Sequence, residues 1–171
     1  MRRMLVTLTL LAAGCASPPA PEEKAASARI ERQLAELYRP LVALVAESRL
    51  SVQDFMKKEG RQQVLPSDRE PTEEELKRWI EKFEGDLMPR NDRMCALIRS
   101  KRDLVDGPEL PASWQALLDH EDGWKAAHEK WKTEGTPYPF HSPTPFPRSL
   151  ERELKASIAD LEQRLASRKR G

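Results

Sequence analysis

Apolar residues return at steps of three and four along nearly the whole chain, and that spacing admits little besides packed helices. The clearest stripe is Leu76, Trp79, Ile80, Phe83 and Leu87. A helix turns once every 3.6 residues, so these five side chains fall on one face and must be covered by something else. The same logic applies to Ile30, Leu34, Leu37, Leu41, Leu44 and Val45, and to the closing series Leu150, Leu154, Ile158, Leu161 and Leu165. Met94, Leu97 and Ile98, and then Trp114, Leu117, Leu118, Trp124 and Trp131, supply two further faces. No stretch alternates apolar and polar residues with β-branched enrichment. The expectation is an all-α fold, a single helical bundle of four to six helices. Its first and last stripes are long enough to pack together, which puts both ends of the domain on one side.

Punctuation residues divide these stripes. Thr72 and Glu75 have capping-box spacing, in which each side chain satisfies a free amide at a helix start. Pro40 lacks an amide hydrogen and predicts a kink or restart near Arg39, with Ser51 capping a further segment from Val52 to Lys58. Gly60 to Pro71 reads as a polar connection. Gly85, Asp86 and Pro89 predict a break or bend, and Asp106, Gly107 and Pro108 a turn. Pro111 suits the first turn of a helix running toward Lys132, weakened at Gly123. Residues 135–147, GTPYPFHSPTPFP, hold five prolines and three aromatic rings, a density that only an extended loop tolerates.

The chain begins MRRMLVTLTLLAAGC: two arginines, an apolar run from Met4 to Leu11, then Ala12, Ala13 and Gly14 before Cys15. This is the order of a secretory signal, and it is too short for the roughly 20 apolar residues of a membrane-spanning helix. It resembles the lipobox of bacterial lipoproteins, with alanine where that family more often has leucine three residues before the cysteine. The resemblance implies that residues 1–14 are removed and that Cys15 carries lipid. Residues 15–24, with the segment ASPPAPEEK, then form a tether, and residues 25–171 the helical domain. Ala16 and Ser17 after the cysteine, with no aspartate, resemble the pattern of Gram-negative lipoproteins exported to the outer membrane, facing the periplasm. The implied partners are the membrane, through Cys15, and an envelope protein. The segments LYRPLVALVAESR, LMPRNDRMCALIRSKRDLV and LLDHEDGWKAAHEKW are similar to helical bacterial domains with no assigned activity.

The 29 basic residues nearly balance the 28 acidic ones, and loss of Arg2 and Arg3 with the leader leaves 27 against 28. Such a chain lacks the concentrated basic footprint that nucleic acid requires. If Cys15 is acylated, Cys95 has no intramolecular partner. Its neighbours Met94, Leu97 and Ile98 predict burial as a small hydrophobe.

The densest group of candidate ligands is Asp119, His120, Glu121, Asp122 and His128. HEDGW starts like a zinc-protease motif, but Trp124 stands where the second histidine belongs. His120 and His128 lie about 12 Å apart along a straight helix, too far to share one ion without a contribution from His141 in the proline loop. Trp114, Trp124 and Trp131, with Tyr138, Phe140 and Phe146, can line an aromatic groove. The plainer reading makes them core and loop-anchoring residues, with Phe140 and Phe146 as pegs of a strap. Paired carboxylates at Glu73 to Glu75, Glu121 to Asp122 and Glu151 to Glu153 read as solvated faces or first helical turns. Arg164, Arg168, Lys169 and Arg170 complement the negative end of the last helix or touch anionic polymer. His120, Glu121, Trp124, His128, Trp131 and His141 are the candidate ligand-binding residues. No complete catalytic motif, metal set or cofactor motif is present. The expectation is a non-enzymatic binding or scaffolding domain, and the alternative a metal-dependent or hydrolytic envelope enzyme using His120, Glu121 and His128.

Overall fold

The computed structural model describes residues 21–66, 68–138 and 144–170. Cys15, Phe140 and His141 lie outside them. The described chain is all helix and connection, arranged as four arms. The first arm comprises α1 (Pro21–Gln33), a π turn (Leu34–Tyr38) and α2 (Arg39–Lys58). The second comprises α3 (Glu73–Lys82), a π turn (Phe83–Leu87) and α4 (Met88–Ser100), followed by a 3₁₀ turn at Arg102–Leu104. The third is α5 (Ala112–Glu134) and the fourth α6 (Leu150–Arg168).

Both long arms run through the places where prolines predict interruption. The residues flanking each π turn keep right-handed helical dihedrals, so neither Pro40 nor Pro89 starts a new element. In the first arm the Arg39 amide reaches back to the Leu34 carbonyl, and in the second the Met88 amide reaches Phe83. Proline is the next residue in each case. A proline inside a regular α-helix clashes with the carbonyl four residues back, and widening the preceding turn moves that carbonyl aside. The expected breaks are thus absorbed as widened turns. Ser51, expected as a cap, lies in the middle of α2. Gly123 does not interrupt α5.

The ends of the arms follow local chemistry. α1 is already helical at Pro21, the first described residue, and Glu22 and Glu23 lie in its first described turn. The Thr72–Glu75 capping box forms as expected, with both reciprocal bonds present. Pro111 precedes α5, and Gly135 ends it in the left-handed conformation at φ 65°.

Packing is antiparallel. α2 lies against α4 and α6, α1 against α6, and α4 against α5. Arg49 to Glu151 (2.8 Å), Arg39 to Glu162 (2.8 Å) and Lys169 to Glu31 (3.1 Å) run down the seam between the first and last arms. The start of α1 and the end of α6 therefore share one end of the bundle. At that end Gln33 is buried and donates to the Leu104 carbonyl (2.8 Å) and to Asp106 (2.9 Å), holding the turn after α4 onto α1. One core cluster, with Leu37, Leu41, Met94, Ile98, Trp114, Leu117, Leu150 and Leu154, occupies the bundle interior. A second, more aromatic cluster of Trp79, Phe83, Leu87, Trp124 and Tyr138 lies toward the α2–α3 connection, where Val64 and Leu65 pack on it. No described helix is long and apolar enough to cross a membrane.

Candidate functional site

α5 carries most of the residues singled out from the sequence. His120, Trp124, His128 and Trp131 follow one another at helical spacing and face inward, the first three buried and Trp131 partly so. Trp124 packs on Phe83 of the second π turn, ring centroids 4.4 Å apart, and Trp131 meets Tyr138 edge-on at 5.1 Å. Trp114 lies in the main core, tilted on Tyr38 at 5.3 Å. These tryptophans are each packed against another aromatic ring of the bundle.

The two histidines are used separately. His120 Nδ1 lies 2.6 Å from the Thr144 carbonyl, so this nitrogen is the N–H donor. The ring meets Phe146 edge-on at 5.4 Å, pinning the segment that leads into α6 against α5. Burial pushes the His120 imidazole toward its neutral form, and the bond to Thr144 partly offsets this. His128 sits eight residues on, between Phe83 and Trp131, and its Nε2 lies 2.9 Å from Glu84. Lys132 reaches the same carboxylate oxygen at 2.8 Å. The Lys132 ammonium and the His128 ring hold the Glu84 carboxyl below the usual carboxylate range.

Glu121 points elsewhere. Only 2% of its side chain is exposed, contrary to the solvated face expected for it, and Arg99 Nη1 and Lys125 Nζ each approach it at 2.7 Å. Arg99 also reaches Asp122 (3.2 Å) and Lys125 reaches Asp92 (2.8 Å), so this network ties α4 to α5. Cys95 is buried beside it, with its thiol directed at the Leu117 carbonyl, and burial followed by Glu121 pushes the thiol well above the usual range. His120, Glu121 and His128 thus have three different sets of partners. Among the described residues no group of three or more histidine, cysteine or acidic side chains is placed to hold a metal ion.

Two polar constellations went unread in the sequence. Asp86, in the second π turn, accepts hydrogen bonds from Ser51 of α2, Lys82 Nζ (2.7 Å) and Arg90 Nε (2.5 Å), and Arg90 extends the chain to Glu47 (3.1 Å). Lys82 Nζ lies 2.5 Å from Ser51 Oγ, but the same ammonium is committed to Asp86. This locks α2 to the second arm. Nothing in it supplies a free base for a nucleophilic serine. Glu75, grouped with the solvated carboxylates, is instead buried. It accepts from Arg61 and from both terminal nitrogens of Arg69, and these bonds with the Thr72 amide hold its carboxyl far below the usual range. The available signals were the i,i+4 spacing of Lys82, Asp86 and Arg90 and the capping-box position of Glu75.

Compared with family models, with curated proteins and with solved structures, the chain matches none.

Proposed function

We propose that this chain is a lipid-anchored protein of the bacterial envelope whose helical bundle serves as a non-enzymatic binding or scaffolding body, facing the periplasm from the outer membrane where the envelope has one. The observation that carries the reading is the leader: two arginines, a short apolar run and small residues ending at Cys15. The arrangement of the bundle supports its second half. An enzyme built on His120, Glu121 and His128 needs those side chains to converge. In the structure they bond to the Thr144 carbonyl, to Arg99 and Lys125, and to Glu84. The short spacer ahead of Pro21 then leaves the α1 end of the bundle near the membrane and the α2–α3 connection facing away from it.

The test is incorporation of labelled fatty acid in cells, together with fractionation of Cys15→Ala. Label on the wild-type protein, its loss in the variant and release of the variant from the membrane fraction are the expected results. An unlabelled wild-type protein, or a variant still firmly membrane-bound, refutes the anchoring.

A further inference from the structure

Among the described residues the main core takes side chains from α1, the first π turn, α2, α4, the turn after it, α5 and α6, and none from α3. The closely packed helix pairs, α2 with α4 and α6, α1 with α6 and α4 with α5, leave α3 out as well. Of its side chains Glu75 and Trp79 are buried, and the cluster it joins is the aromatic one. α3 is ten residues long. An isolated helix shorter than about 12–15 residues is marginal in water, so α3 depends on being docked.

Its attachments are of two kinds. Trp79 lies on Phe55 of α2, ring centroids 5.7 Å apart, and on Phe83 at 5.8 Å, with Leu76 and Ile80 partly buried in the same cluster. Lys82, its last residue, holds Asp86 in the adjoining π turn. The other ion pairs that leave the helix run to the near end of α2 and the connection after it. Arg78 Nε reaches Glu59 at 3.0 Å, and Glu75 accepts from Arg61 and from both terminal nitrogens of Arg69. Among the described residues none of these pairs reaches α4, α5 or α6. The helix is thus fastened at one edge by charge and at its far end by the π turn, which serves as the joint.

We propose that α3 is a latched lid over the aromatic cluster. It undocks while the rest of the bundle stays folded, the pairs made by Glu75 and Glu59 hold it shut, and its opening bares the faces of Phe55 and Phe83 that Trp79 covers. The inference goes beyond the anchoring reading and stands whether or not Cys15 is acylated.

The experiment is native-state hydrogen exchange of the full-length protein in detergent, read by mass spectrometry on peptides from each helix at rising sub-denaturing urea. α3 is expected to exchange through a local opening, faster than α2, α4 and α6 and with a weaker dependence on urea. Glu75→Gln separates the latch from the helix start, because glutamine still completes a capping box but offers Arg61 and Arg69 no charge. The loss of charged hydrogen bonds should speed exchange across residues 73–82 at least about tenfold and leave α4 and α6 within about twofold. An α3 that matches α4 in rate and urea dependence opens only when the whole bundle unfolds, and that overturns the proposal. So does an α3 already unprotected in the wild-type protein, or a variant that leaves α3 unchanged or speeds every helix alike.

Discussion

Deleting Gly85 tests whether the widened turns exist to admit the prolines. The π turn at Phe83–Leu87 closes with the Met88 amide bonded to the Phe83 carbonyl, five residues back, and Pro89 follows. A loop closed five residues back holds one residue more than an α-helical loop, so removing one residue returns the turn to α geometry while both flanks keep their faces. Gly85 is the residue to remove, because it is exposed and nothing lies within 4 Å of where its Cβ would stand. The shortened chain must then carry Pro89 inside regular α-helix, at about 3 kcal/mol. Loss of a helical glycine returns about 0.5–1 kcal/mol, leaving a net destabilisation of about 2–2.5 kcal/mol. In a Pro89→Ala background the proline penalty vanishes, and the same deletion should be neutral or slightly stabilising. The two changes are thus expected to couple by about 3 kcal/mol in a double-mutant cycle. Urea unfolding followed by far-UV circular dichroism measures all four species. If the deletion costs the same in both backgrounds to within about 0.5 kcal/mol, proline accommodation is not the reason for the wide turn.

Asp86 sets an acid limit: although partial burial opposes ionisation, bonds from Lys82, Ser51 and Arg90 bring its carboxyl down from 3.8 to about 2. A lowered folded pKa contributes stability that is present above about pH 4 and lost as the pH falls toward 2, so Asp86→Asn should flatten the stability profile over that window. The Cys95 thiol, fully buried and held protonated, should react with a disulfide reagent only as fast as the protein unfolds; rapid labelling of the native protein contradicts the packing. Glu121→Gln removes the shared charge from Arg99 and Lys125 and should cost about 1–3 kcal/mol in urea unfolding, the two half-exposed cations finding water in part. Trp114→Ala, which empties the centre of the main core, should cost about 3–5 kcal/mol by the same assay.

Helical spacing in the sequence was enough to place all four arms and most of the main core. Leu37, Leu41, Leu117, Leu150 and Leu154 are each at the limit of burial, as their stripes require. The capping box at Thr72 was equally legible, because both of its bonds are made within four residues. The prolines were legible as perturbations but not in their outcome. Whether a proline breaks a helix or widens it depends on the energy of packing on either side. Here Leu34, Leu37, Tyr38 and Leu41 before and after the first junction, and Phe83, Leu87 and Met94 around the second, are all buried. A break would expose one flank or the other, and a single widened turn keeps both in register.

The candidate site was less legible, for a reason that lies in α5 itself. Positions 120, 124, 128 and 131 share a face whether that face gathers a ligand or fills a core, so periodicity cannot separate the two. The partners separate them, and they come from distant chain: Thr144 for His120, Glu84 for His128, and Arg99 for Glu121. None of these pairings follows a spacing rule. The same holds for Arg61, whose side chain pairs with Glu75 of α3. In this bundle the buried polar groups fasten one arm to another.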